Sequence, residues 1–81
     1  MFYVYILQDD SGKIYIGYSN NLRRRLIEHQ KQRVYTTKRM LGPQLIYYEA
    51  YPTRESARER EKKLKQHGSS FQGLMKRLHF K

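Results

Sequence analysis

Apolar and polar positions alternate with period two at the start of the chain, "MFYVYIL". In a strand over 2–7, Phe2, Val4 and Ile6 face one way and Tyr3, Tyr5 and Leu7 the other. Asp9, Asp10, Ser11 and Gly12 form a turn cluster within residues 8–13. A second strand, 14–18, puts Ile14, Ile16 and Tyr18 on one face and Tyr15 and Gly17 on the other. The short turn makes this pair an antiparallel hairpin. The period then lengthens. A helix starts after an Asn20 or Asn21 cap and runs to about Lys31. Residues 34–43 read as irregular and end in the Gly42-Pro43 break. "QLIYYEAY", 44–51, is a third strand that Pro52 stops. Thr53 caps a second helix, with Glu55 in its first turn and an end near Gly68. Ser69-x-x-Gln72 fits a capping box. Phe71, Leu74, Met75 and Leu78 follow at helical spacing and predict a third, short helix. The order β-β-α-β-α-α predicts an α+β fold, a small three-stranded sheet flanked by helices, in a single domain over 1–81.

Composition narrows the function. A chain of 81 residues has a small core, burying only roughly 60–65% of its unfolded surface. The absence of cysteine excludes disulfides and thiolate metal sites. Three scattered histidines argue against structural zinc. No apolar stretch reaches the length of a membrane span or a signal-peptide core, so the expectation is a soluble cytoplasmic protein. Charge is the strongest bulk signal. Seventeen Lys and Arg against seven acidic residues give a formal charge of +10, a field that draws polyanions, above all nucleic acid.

Helical projection then singles out residues that sit where their chemistry is costly. In the first helix Leu22, Leu26 and His29 form one stripe, and Arg25 lies on it, about 60° from Leu22. Arg24 points away and Arg23 to the side. A packed stem with a solvated or carboxylate-paired head would explain Arg25 structurally. In the second helix Glu61 sits between Ala57 and Leu64 on the apolar stripe. An ion pair with a basic neighbour is its structural explanation. The remaining basic residues of that helix read as a solvated face. Tyr3, Tyr5 and Tyr15 share one sheet face, where they serve either as cross-strand aromatic pairs or as part of a site. Gly17 extends that face without a side chain, as strand glycines do where something approaches closely. Two tyrosines, an inward arginine, a histidine and an inward carboxylate suit phosphodiester hydrolysis. A lone carboxylate holds Mg²⁺ when water and phosphate complete the shell. Arginine clamps the phosphate. Tyrosine serves as base or nucleophile if positive charge lowers its pKa.

These residues also fall in a known order. "YVY" at Tyr3–Tyr5, "YIG" at Tyr15–Gly17, "NNLRRRLIEH", "GPQLIYYEAY" and "ESAREREKKLK" together resemble the GIY-YIG nucleases over nearly the whole chain. The likeness is nearest to small single-domain bacterial proteins related to the nuclease domain of the bacterial excision-repair nuclease. The resemblance implies an antiparallel three-stranded sheet between helices and a DNA endonuclease dependent on Mg²⁺ or Mn²⁺. It implies Tyr5 as general base, Tyr15 on the scissile phosphate, Arg25 as the essential arginine, His29 beside the base and Glu61 as metal ligand. Gly17, Arg23, Arg24 and Lys38 are the expected nucleic-acid contacts. Tyr3 stands where the first glycine of the motif would be, and Tyr18 where the repair nuclease has lysine. The substrate expected is DNA, including branched or damaged forms, with RNA left open, and targeting falls to the domain itself, a dimer or a partner protein. A non-catalytic nucleic-acid-binding module that keeps this fold is the alternative.

Overall fold

The computed structural model describes residues 1–31, 39–66 and 68–78. The elements follow the expected order: β1 Phe2–Gln8, β2 Ile14–Ser19, α1 Leu22–Gln30, β3 Gln44–Tyr51, α2 Arg54–Lys65 and α3 Ser69–Leu78. The sheet is antiparallel with order β2-β1-β3. β1 is therefore the middle strand, and helices lie on both faces. Its residues Val4 to Leu7 are all at most 1% exposed.

Period-two alternation divides the sheet as the sequence implies. Val4, Ile6 and Ile16 join Ala57, Leu64 and Leu74 in one apolar cluster, so α2 and α3 cover that face. Tyr5 and Tyr15 point to the other face, where His29 of α1 meets both rings. Register supports this division. Val4 pairs with Tyr18 and Glu49, while Tyr5 pairs with Gly17 and Tyr48. Ile6 pairs with Tyr47 but Leu7 with Leu45, so Ile46 is an extra residue and β3 is bulged there.

The helix ends have specific chemistry. Asn21 is the α1 cap and accepts a hydrogen bond from Arg24 N at 3.0 Å. Thr53 caps α2 by accepting from Ser56 N, which satisfies one orphan donor of the first turn. β1 and β2 each run one residue beyond the sequence expectation, and two helix boundaries differ from it. α2 ends at Lys65 with Gln66 as its C-cap, before Gly68. The Gln72 N–H reaches the Gly68 carbonyl at 3.0 Å, so Gly68, not Ser69, holds the cap position of α3. Within 34–43, residues 39–43 contain no strand or helix, and the preceding part lies outside the described residues.

Asp9 does more than turn the chain. It accepts from Ser11 N, Ser11 Oγ, Lys13 N and, across the fold, Leu41 N. Asp10 N donates to the Leu41 carbonyl at 2.8 Å. The hairpin loop and the segment leading into β3 are thereby tied together. Burial pushes the Asp9 carboxyl up, but the bonds from Ser11, Leu41 and Lys13 outweigh it and hold the pKa at about 2. Gly42 approaches this joint with φ +60°, a conformation costly for residues with a Cβ.

Candidate active site

Four of the five residues with catalytic expectations come from α1 and the hairpin face beneath it. Tyr5, on the central strand, has no exposed surface. Its hydroxyl is hydrogen-bonded to His29 Nε2 at 2.8 Å. The Tyr15 ring lies 6.1 Å from that of Tyr5 and 5.1 Å from the imidazole. The three rings form one tilted cluster. Gly17 is what admits it: a Cβ there would fall 2.5 Å from Tyr5 Cζ and Oη and 2.8 Å from Tyr15 Cε2. The close approach that this glycine permits is thus made by two rings of the protein itself, and Gly17 is buried beneath them.

Arg25 borders the cluster from α1, one turn before His29. Its Nη1 pairs with Glu28 at 3.0 Å. Its Nε is buried without a hydrogen-bond partner among the described residues. A buried N–H of a charged group left unmatched costs free energy, so the geometry leaves a donor that an anion would satisfy. Arg23 is exposed, and Arg24 is exposed beside Glu28 at 3.7 Å. Projection therefore separated the three arginines correctly. Lys38 lies outside the described residues.

Electrostatics corrects one expectation. Burial foremost, then the neighbouring Tyr15, raise the Tyr5 pKa above the ordinary tyrosine value, and Arg25 only partly opposes them. Positive charge does not make Tyr5 acidic here. His29 moves the other way. Burial, with its side chain at 2% exposure, and the charge of Arg25 push it down to about 4. The imidazole is therefore neutral at pH 7, and its unprotonated nitrogen can accept a hydrogen bond from Tyr5.

Glu61 is placed differently. It belongs to α2, which covers the opposite face of the sheet. Its side chain is 15% exposed and pairs with Lys65 at 3.0 Å and Arg58 at 3.7 Å. The two regions are linked around the outer strand β2. Tyr18 carries Arg58 over its ring at 5.5 Å and stacks on Phe2. Arg54, at the start of α2, shares a cavity of about 260 Å³ with Tyr18, Ser19, Asn20, Arg24 and Arg25. A basic band thus runs from Arg25 to the neighbourhood of Glu61. Among the described residues no three His, Cys, Asp or Glu side chains cluster to hold a metal. One carboxylate with hard oxygen donors still fits Mg²⁺ or Mn²⁺ when water and phosphate supply the remaining ligands. The cations beside it, Arg58 and Lys65, are more than half exposed and are free to swing aside.

A second polar cluster was not anticipated from the sequence. Glu49, in the middle of β3, receives both Nε and Nη2 of Arg60, at 2.9 and 3.0 Å. Tyr47 and Tyr51 donate their hydroxyls to the same carboxylate. Arg60 is therefore not part of a solvated face. Its signal was the pairing of a strand carboxylate flanked by tyrosines two residues either side with an arginine on the helix that covers that face.

Comparison with known proteins agrees with this picture. Residues 1–76 match the model of the GIY-YIG catalytic domain. A UPF0213 protein of Staphylococcus saprophyticus is 34% identical over 64 residues, covering 78% of each chain. A UPF0213 protein of Streptococcus pneumoniae is 40% identical over 65 residues, covering 78% of this chain and 65% of its own. The solution structure of a UPF0213 protein of Bacillus halodurans superimposes with a TM-score of 0.59 at 27% identity, covering 98% of this chain and 86% of that one. Among the described residues no helix is long and apolar enough to cross a membrane. With the strand order, the tyrosine face and the matched span all in accord, the chain belongs to the GIY-YIG family, a nuclease-type family.

Proposed function

We propose that the protein is a divalent-metal-dependent endonuclease that hydrolyses phosphodiester bonds in DNA. The observation that carries this reading is the Tyr5–His29 contact at 2.8 Å beside the unmatched Nε of Arg25. In the tautomer with its proton on Nδ1, His29 accepts from Tyr5. Tyr5 then takes a proton from the attacking water as it passes its own to His29 Nε2, a transfer that the bound phosphate favours by neutralising Arg25, whose charge otherwise lowers the His29 pKa. No free tyrosinate is required, which the raised Tyr5 pKa would oppose. The water oxygen forms a bond to phosphorus, and the bond from phosphorus to the leaving sugar oxygen breaks. That oxygen takes a proton from solvent. Arg25 and Tyr15 are more exposed than Tyr5 and receive the phosphate first. Tyr5 has no exposed surface, so this step requires the phosphate to draw Arg25 and Tyr15 away from it and admit the water. Arg25 then offsets the charge that develops on phosphorus-bound oxygen. Glu61 would hold Mg²⁺ or Mn²⁺, whose chemistry is to polarise the phosphate and neutralise developing charge. Arg24 supports Arg25 at the same phosphate, and Arg23 binds a flanking one.

One observation favours the alternative of a non-catalytic nucleic-acid-binding module: Glu61 already has two cationic partners. Nicking of supercoiled plasmid in Mg²⁺, in Mn²⁺ and in EDTA separates the two. Nicking is expected with metal and absent in EDTA. Glu61→Gln should abolish it with little change in Tm, because an amide is a poor ligand for a hard cation. A large fall in Tm with nicking per folded molecule unchanged would assign Glu61 to its ion pairs instead.

A further inference from the structure

The junction between β2 and α1 has a cavity on each side, and Asn20 lines both. The smaller is the arginine cavity of about 260 Å³, where Arg24 and Arg25 of α1 face Arg54 of α2. Three guanidinium groups from two helices meet there, and among the described residues Glu28 is the one carboxylate paired with any of them. The unmatched Nε of Arg25 adds a donor without an acceptor. Such a set takes a phosphate.

The larger is a groove of about 610 Å³ whose walls include Tyr3, Tyr48, Leu22, Leu26 and Arg23. Tyr48 is 53% exposed and meets the Tyr3 ring edge-on, with centroids 6.3 Å apart. Asn21 and Gln30 bring amide groups to its rim. Aromatic and aliphatic walls with amides at the edge match a nucleobase, which offers a flat π face and a polar perimeter. A second copy of the chain is a poor occupant, since each carries a formal charge of +10 and Arg23 stands on the wall. The neighbouring anion site gives the groove an occupant that carries a phosphate on one side and a ring on the other.

We propose that the two cavities hold one unstacked nucleotide, its phosphate among Arg24, Arg25 and Arg54 and its base against Tyr48 and Tyr3. The substrate strand is then single or locally unpaired at this point. A base inside a duplex is stacked on both faces and would have to flip out to enter the groove, at a cost in unstacking. This assignment rests on the nucleic-acid reading above and adds to it the state of the strand and two residues, Arg54 and Tyr48, with no role in the catalytic set.

Fluorescence anisotropy in EDTA tests it with a labelled single-stranded oligonucleotide, the same strand in duplex, and the single strand with one abasic position. The single strand should bind more tightly than the duplex. Tyr48→Ala should weaken single-strand binding roughly 5- to 150-fold, the range for loss of one base–aromatic stack. It should leave duplex binding unchanged, and Tyr48→Phe should restore wild-type affinity. An abasic position should weaken the wild type but not the Tyr48→Ala variant. Arg54→Ala should weaken single-strand binding whatever the base and flatten its salt dependence by about one phosphate's worth. Duplex binding as tight as single-strand binding, with Tyr48→Ala indistinguishable from wild type, would overturn the nucleotide site and leave the nuclease reading intact. Failure to bind any of the three oligonucleotides would overturn both.

Discussion

Two clusters in this small protein contain the same kinds of side chain and behave differently. On the α1 face, Tyr5 and Tyr15 stand with Arg25 and His29. On the α2 face, Tyr47 and Tyr51 stand with Arg60 and Glu49. In the second cluster donors and acceptors match. The guanidinium forks onto the carboxylate, and both hydroxyls donate to it. Burial pushes the Glu49 carboxyl up, but bonds from Arg60, Tyr47 and Tyr51 outweigh it and hold its pKa below the usual range. In the first cluster a neutral imidazole takes the place of the carboxylate. The arginine keeps an unmatched Nε, and the central tyrosine is harder to ionise than usual. A closed cluster holds β3 to α2. An open one couples its imidazole to Tyr5 and keeps an arginine N–H for an anion, which is what chemistry on a phosphate requires.

A large effect should come from crowding the open cluster. In Gly17→Ala the new Cβ overlaps Tyr5 and Tyr15, and the buried Tyr5 ring has no room to retreat. Cleavage should fall by about 10²-fold or more, the scale for displacing reacting groups by an ångström. Alanine at Gly73, where a Cβ meets nothing within 4 Å, should leave nicking unchanged. Equal nicking by both variants would show that the ring geometry does not matter.

Acid should distinguish the clusters next. The unfolded chain protonates His29 near pH 6.5, whereas the folded protein resists until about pH 4. Between those values the unfolded state binds more protons, so stability is full above about pH 6.5 and declines as pH falls. The loss should reach on the order of 3 kcal/mol below about pH 4. Glu49 and Asp9, both with depressed pKa values, add their losses at the lower end of the range and below. Urea unfolding at pH 7, 5.5 and 4 should show this decline, and His29→Gln should remove its upper part. The same slope in both proteins between pH 6.5 and 5 would contradict the buried neutral imidazole.

A smaller and purely structural effect is expected from the closed cluster. Glu49→Gln leaves Arg60 with a weakened partner and should cost about 1–3 kcal/mol of stability. Nicking per folded molecule should stay at the wild-type level. A drop in nicking beyond the loss of folded protein would mean that this cluster also serves the site.

Much of the fold was legible because local signals agreed with one another. Alternation in "FYVYIL" and "IYIGYS" named both sheet faces, and Asn21 and Thr53 cap where polar residues precede helical spacing. Arg25 stood out because one arginine of three fell on an apolar stripe. The features that escaped are contacts between distant segments. Glu49 and Arg60 are eleven residues apart in sequence, and Asp9 binds Leu41 across thirty-two. Neither pairing follows from periodicity. Tyr5 was legible as a member of the tyrosine face, but its pKa direction was not, since it depends on complete burial beneath Tyr15 and His29. The position of Glu61 on a helix stripe was also correct, yet the stripe alone did not tell that α2 lies across the sheet from α1.

The central claim is that the open cluster acts and the closed one only holds. It is tested most directly by removing one hydroxyl from each. Tyr5→Phe and Tyr47→Phe should be compared with wild type in single-turnover plasmid nicking with Mn²⁺, each rate scaled to its folded fraction. Tyr5→Phe is expected to lose about 10²–10⁴-fold, the usual contribution of a positioned proton acceptor, while Tyr47→Phe keeps the wild-type rate. Wild-type nicking by Tyr5→Phe, or equal losses in the two variants, would contradict the account.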